Sequence, residues 1–163
     1  MAQIMVLGLG SVVQQDKGLG IHAVRDLHRE KWPPEVCFVD RMMLGNAPPD
    51  LDDVQALVVL DALQTGRSPG CLARLSLEEV LEDPCLIQDS LLWRGLAMAE
   101  LRGQDVQVVV LGLEAGNVAY DLMLSKTLLQ AYPDYLRIVR AEIASTLQGL
   151  GLRTSKQAAA VSL

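Results

Sequence analysis

The chain has 163 residues, of which 50% are apolar, and a formal net charge of -6. A chain of this length buries one sizeable core, and an acidic balance without a basic cluster argues against nucleic-acid binding. No apolar run approaches the roughly 20 residues that span a bilayer, and the N-terminus shows no charged leader with a cleavage site. A cytoplasmic protein without a membrane span is therefore expected.

The cysteines are odd in number and widely spaced, at Cys37, Cys71 and Cys85. This spacing matches neither a disulfide framework nor a CxxC metal site. We expect three buried thiols.

Short runs rich in valine and leucine have the pattern of strands that are buried on both faces. They are IMVLGLG (4–10), VCFVD (36–40), ALVVLDA (56–62) and VQVVVLGL (106–113). GCLARLSL (70–77) follows the turn residues 65–69 too closely for a crossover helix, so it is predicted to pair antiparallel with the third strand.

Apolar residues recur at helical spacing in GIHAVRDLHREKW (20–32), SLLWRGLAMAELRG (90–103) and a long segment (125–151), whose first turns Pro133 is expected to break. The alternation of strands and helices predicts an α/β fold. Its form would be a three-layer αβα domain with a twisted, mostly parallel central sheet of about five strands, one of them antiparallel. This domain would cover residues 1–153, and residues 154–163 would form a flexible tail.

The loop GLGSVVQQDKGLG (8–20) follows the first strand, at the edge where ligands collect in an open α/β sheet. A dinucleotide loop of the GxGxxG type would require glycine at Val13. A phosphate loop of the GxxxxGK[ST] type would require lysine after the glycine, whereas Lys17 precedes Gly18. Neither nucleotide motif is matched.

The same loop resembles the GxGNxLxxDDGxG loop of the hydrogenase maturation endopeptidases. ALVVLDALQTGRSPGCLARL (56–75) is similar to the family's strand that ends in aspartate and continues through a Pro-Gly loop. WRGLAMAEL (93–101) resembles the family's GLA helix, and LGLEAGNV (111–118) resembles its last strand and loop. The resemblance covers roughly residues 3 to 150 in the family's element order.

The resemblance implies a hydrolase-like fold. It also implies an endopeptidase that removes a C-terminal extension from the large-subunit precursor of nickel-iron hydrogenase, and this precursor would be the partner. It implies no intrinsic cofactor, because the nickel belongs to the substrate and is recognised by two acids and one histidine. The matching positions are Lys17, Asp61 and Leu92. Only Asp61 keeps a metal ligand, so the family's full metal site is not expected.

The predicted catalytic residues are Asp16 and Asp61, and the predicted substrate-cleft residues are Gly8, Gly10, Asp40 and Gly45. Lys17 would either replace the metal and pair with Asp61 or Asp16, or be exposed to solvent. His22 and His28 do not share a helix face, so packing or surface roles are expected for them.

Two functions remain open at this point. One is an endopeptidase with an altered site. The other is a non-catalytic paralogue of the same fold that binds a hydrogenase subunit or another protein client.

Overall fold

The regular elements alternate along the chain in a computed structural model that describes residues 3–151. The strands are β1 (Ile4–Gly8), β2 (Val36–Asp40), β3 (Ala56–Leu63), β4 (Leu72–Ser76) and β5 (Gln107–Glu114). The helices are α1 (Leu19–His28), α2 (Arg41–Leu44), α3 (Leu77–Glu82), α4 (Ser90–Leu101) and α5 (Lys126–Gly149). The predicted tail lies outside the described residues. No helix in residues 3–151 is long and apolar enough to cross a membrane.

The strands form one sheet in the order β2-β1-β3-β5-β4. All neighbours are parallel except β4, which runs antiparallel to β5. The predicted mixed sheet is therefore confirmed, but the predicted pairing of β4 with the third strand is wrong. The apolar strand β5 needs neighbours on both sides, and the crossover through α3 and α4 is long enough to insert it between β3 and β4.

The core lies in two layers, one on each face of the sheet. Successive residues of β3 point to opposite faces, so Val58 and Leu60 pack towards α1 and α5, whereas Leu57 and Val59 pack towards α4. Both layers consist mainly of buried aliphatic side chains, which supply the main driving force for folding. The predicted three-layer αβα architecture is confirmed.

Helix α5 continues through Pro133, so the expected break is wrong. The proline removes one helical hydrogen bond, at a cost of about 3 kcal/mol in a helix interior. Buried residues lie on both sides of it in this helix, at Leu128, Tyr135, Val139, Ile143 and Leu147. Their packing along one face holds the helix together across the proline, since tertiary burial outweighs local propensity.

The expectation of three buried thiols is also wrong. Cys71 and Cys85 are exposed, and Cys37 is partly buried. Cys71 precedes the edge strand β4, and Cys85 lies in a short 3₁₀ turn, so both belong to surface segments. Burial raises the pKa of the Cys37 thiol, which disfavours its thiolate form.

A buried phenol joins α5 to the sheet. The Tyr135 hydroxyl donates to the carbonyl oxygen of Leu111 at 2.7 Å, and Tyr135 is fully buried. Tyr135→Phe should lower the free energy of unfolding by about 1 kcal/mol, because the carbonyl loses this partner inside the core. Urea denaturation measures the change, and Tyr120→Phe is the control because Tyr120 is 88% exposed. Equal midpoints for the two variants would contradict the prediction.

Candidate active site

A cleft of about 250 Å³ opens at the carboxyl edge of the sheet between β1 and β3. The chain leaves β1 for β2 on one side, whereas β3 lies on the other side, so the strand order reverses at this point. Such a reversal leaves a crevice where α/β proteins bind their ligands. The walls come from the loop after β1, the end of β3 and the stretch 85–89 before α4.

Two glycines let the first loop fold tightly above the strands. Gly10 has φ +104, and a Cβ atom there would lie 1.9 Å from the carbonyl oxygen of Lys17. That same oxygen accepts a hydrogen bond from the Ser11 N–H at 3.0 Å. At Gly8 a Cβ atom would lie 2.3 Å from the carbonyl oxygen of Gly20, so Gly8 serves the packing of β1 against α1.

Asp61 lies in β3 at its carboxyl end and lines the cleft. Burial raises the pKa of its carboxyl to about 7, against the lowering effects of the Ala62 N–H and the Lys17 charge, while Asp89 raises it further. The Ala62 N–H donates to Oδ1 at 2.9 Å. A carboxyl with this pKa can accept and return a proton near neutral pH.

Asp16 has no exposed surface and points away from the cleft. Its Oδ2 accepts from the N–H groups of Gly116 and Asn117 and from the Ser125 hydroxyl, each at 2.8 Å. Its Oδ1 accepts from the Ser125 N–H at 2.7 Å. These bonds fix the first loop to the loop after β5. The catalytic role expected of Asp16 does not fit this position, because all of its contacts hold the fold together.

Lys17 lies in the cleft beside Asp61, half-buried. The 3₁₀ turn at residues 15–18 sends the neighbouring side chains of Asp16 and Lys17 in different directions. Within residues 3–151 the Lys17 ammonium has no carboxylate within 4.0 Å. Lys17 therefore lies in the cleft, where the expectation that it replaces the metal would place it. It does not form the ion pair with Asp61 or Asp16 that this expectation included.

Leu92 lies in the first turn of α4, is 2% exposed, packs in the core and does not line the cleft. The nearby residues that do line the cleft are Gln88 and Asp89. Asp89 caps α4 by accepting from the Leu92 N–H at 3.0 Å. The sequence interpretation missed Asp89, although an acid directly before an apolar helical pattern is a known signal for a helix start.

Arg41, the first residue of α2, binds the Asp89 carboxylate and fixes its position. Its Nε donates to Asp89 Oδ2 at 2.6 Å, and its Nη2 donates to Oδ1 at 2.7 Å. Both side chains are largely buried, at 15% and 14% exposure. Such a two-point pair is among the stronger charged contacts in proteins and neutralises the Asp89 carboxylate.

Asp40 and Gly45 lie outside the cleft, which corrects their predicted place in it. Asp40 is buried, caps α2 through the Met43 N–H at 2.9 Å and accepts from Arg25 at 3.2 Å. Gly45 ends α2 with φ +58. Asp40 is the last residue of β2 and Gly45 follows α2, and β2 is the edge strand beyond β1, one strand away from the crevice. Of the four predicted cleft residues, only Gly10 lines the cleft.

The donor set does not fit a divalent cation. Within residues 3–151 no group of three histidine, cysteine, aspartate or glutamate side chains is placed to hold a metal ion. The cleft offers Asp61, an Asp89 already held by Arg41, and the cation of Lys17. His28 lies on α1 and packs beside Phe38 with ring centroids 6.1 Å apart, and His22 contributes to a separate small pocket under residues 122–129.

Two curated relatives match part of the sequence. The hydrogenase expression/formation protein HupD of Bradyrhizobium diazoefficiens is 34% identical over 80 residues, which are 48% of this chain and 42% of the relative. HupD of Rhodobacter capsulatus is 32% identical over 80 residues, which are 48% of this chain and 38% of the relative. The chain thus covers less than half the length of these relatives. No protein-family model matches the chain.

Solved structures match nearly the whole described chain. The hydrogenase maturating endopeptidase HybD from E. coli aligns with a TM-score of 0.72 and 21% identity, covering 94% of this chain and 96% of HybD. The [NiFe] hydrogenase maturation protease HycI from Thermococcus kodakarensis aligns with a TM-score of 0.66 and 16% identity, covering 85% and 90%. This chain has the fold of the hydrogenase maturation endopeptidases. The resemblance predicted from the sequence motifs is confirmed at the level of the fold.

Proposed function

We propose that the chain acts in hydrogenase maturation as an endopeptidase that removes the C-terminal extension of a nickel-iron hydrogenase large-subunit precursor. The observation that carries the proposal is the position of Asp61, at the base of the cleft where the strand order reverses. The partial likeness to HupD and the fold of HybD and HycI support the same role. A cytoplasmic location belongs to the proposal, and the three free thiols suit a reducing compartment.

Asp61 and Lys17 together can perform peptide hydrolysis with protein groups alone. Water attacks the scissile carbonyl carbon while Asp61 accepts a proton from it, and the electrons of the carbonyl bond move to the oxygen. The Lys17 ammonium stabilises the negative charge on that oxygen. The carbonyl then re-forms, the C–N bond breaks, and Asp61 returns the proton to the leaving nitrogen.

Cleavage of a nickel-loaded precursor from the same genome tests the proposal. Wild-type protein should shorten the precursor at its C-terminus, as read by intact-mass spectrometry. Asp61→Asn should slow the cleavage by about 100-fold or more, because the amide cannot accept the proton. Asp134→Asn is the matched control, since Asp134 is a carboxylate on the surface of α5 with 80% side-chain exposure. An unchanged precursor mass with wild-type protein, or a genome without any hydrogenase large subunit, would reject the proposal.

A second candidate is a non-catalytic protein that binds the precursor without cutting it. The observation in its favour is the occupation of two of the three expected ligand positions by Lys17 and by the buried Leu92. This function predicts a stable complex with uncut precursor on size-exclusion chromatography. Lys17→Glu would then place a second carboxylate near Asp61, and this variant should bind nickel more tightly than the wild type. Turnover of the precursor by wild-type protein excludes this candidate.

A further inference from the structure

The charged groups that line the cleft are not equally available to a ligand. Both oxygens of Asp89 are held by Arg41 at 2.6 and 2.7 Å, and Oδ1 also caps α4. The Lys17 ammonium, in contrast, has no carboxylate within 4.0 Å in the described part of the chain. The cation of this cleft is therefore free to meet an anionic group.

One oxygen of Asp61 is also available. Oδ1 accepts from the Ala62 N–H, whereas Oδ2 has no hydrogen bond within residues 3–151 and is not among their buried unpartnered atoms. Oδ2 can therefore accept one hydrogen bond from a ligand N–H group. A ligand that carries a carboxylate and an N–H a few atoms apart would satisfy Lys17 and Asp61 together.

The remaining polar lining suits the same kind of ligand. Gln14, Gln64 and Gln88 line the cleft with exposed side chains, and their amides make no hydrogen bond to other described residues. A side-chain amide can donate to a carboxylate and accept from a peptide N–H. The volume of about 250 Å³ is below the range usual for drug-sized ligands, so the cleft accommodates only a short piece of chain.

We propose that this cleft binds the C-terminal residue of a peptide chain, with its free α-carboxylate on Lys17 and its backbone N–H on Asp61. The glutamine amides complete the contacts to the carboxylate and the preceding peptide group. This inference does not depend on proteolysis, because a peptide with a free carboxylate can bind whether or not the protein cuts anything. Binding and cleavage can therefore succeed or fail separately.

Isothermal titration with the peptide N-acetyl-Gly-Gly-Ala as the free acid, and with its C-terminal amide, tests the proposal. The acid should bind at least about 5-fold more tightly than the amide, since only the acid has a charge for Lys17. Lys17→Met should reduce the affinity for the acid to that for the amide, whereas Lys17→Arg should retain the preference. Lys31→Met is the control, because Lys31 is exposed and does not line the cleft.

Further measurements compare the peptide with a small carboxylate and locate the binding site on the protein. Backbone N–H resonances of Gly10 and Ser11 should shift with the acid, and circular dichroism should show that each Lys17 variant is folded. Acetate should bind at least about 5-fold more weakly than the peptide acid, because it presents no N–H to Asp61. Equal binding of acid and amide, no binding of the acid, or wild-type affinity in Lys17→Met would overturn the proposal. Acetate that binds as tightly as the peptide would overturn the peptide assignment.

Discussion

Asp16→Ala is expected to lower the free energy of unfolding by about 3–5 kcal/mol. The substitution leaves four donors without their acceptor, namely the N–H groups of Gly116, Asn117 and Ser125 and the Ser125 hydroxyl. Asp16 has no exposed surface and its two hydrogen bonds with Ser125 are buried, so bulk water does not replace the carboxylate at the Ser125 N–H and hydroxyl. Urea denaturation followed by circular dichroism measures the change.

Asp121→Ala provides a matched control for Asp16. Asp121 is an exposed carboxylate in the loop that Asp16 anchors, and it accepts one backbone N–H, from Met123, at 2.9 Å. Its loss should cost about 1 kcal/mol or less, because water can reach the freed donor. Similar losses in the two variants would show that Asp16 does not hold the loop. Asp16→Asn should fall between them, since the amide keeps the shape but loses the charge and one acceptor.

The difference in free energy of unfolding between Asp61→Asn and the wild type is expected to be roughly 2–4 kcal/mol more favourable to the variant above neutral pH than near pH 4. Burial raises the pKa of Asp61 from 3.8 to about 7, so the folded state binds this proton more tightly than the unfolded state does. Below about pH 4 Asp61 is protonated in both the folded and the unfolded state, so it does not lower the free energy of unfolding. As the pH rises from about 4 to about 7, the unfolded state ionises first and stability falls. Above about 7 both states are ionised and the cost is constant.

Urea denaturation of the wild type and Asp61→Asn at about pH 4.5, 6 and 8 measures this dependence. Burial, the Ala62 N–H, Asp89 and Lys17 together set the pKa of Asp61. Asp134→Asn is again the control, since the Asp134 side chain is 80% exposed. A stability difference between Asp61→Asn and the wild type that does not grow with pH would show that the Asp61 carboxylate is well solvated.

The sequence alone determined the layers of this protein and the place of its cleft. Runs such as ALVVLDA are too apolar to face water on either side, so they had to be interior strands with helices on both faces. Asp61 ends one of these runs, and an acid at the carboxyl end of a central strand lies in the crevice whatever the details of the loops. These conclusions follow from local pattern and strand direction, which a sequence records directly.

The tertiary structure alone decided which polar residues meet in that cleft. Asp16 and Lys17 are adjacent in sequence, yet a single 3₁₀ turn buries one under the loop after β5 and places the other in the cleft. Arg41 and Asp89 are far apart in sequence and join only because the segments after β2 and before α4 pack together. The partner of β4 depends likewise on where the crossover lays β5. Side-chain direction in loops and contacts between distant segments are set by the packing of the whole chain, and short stretches of sequence do not record them.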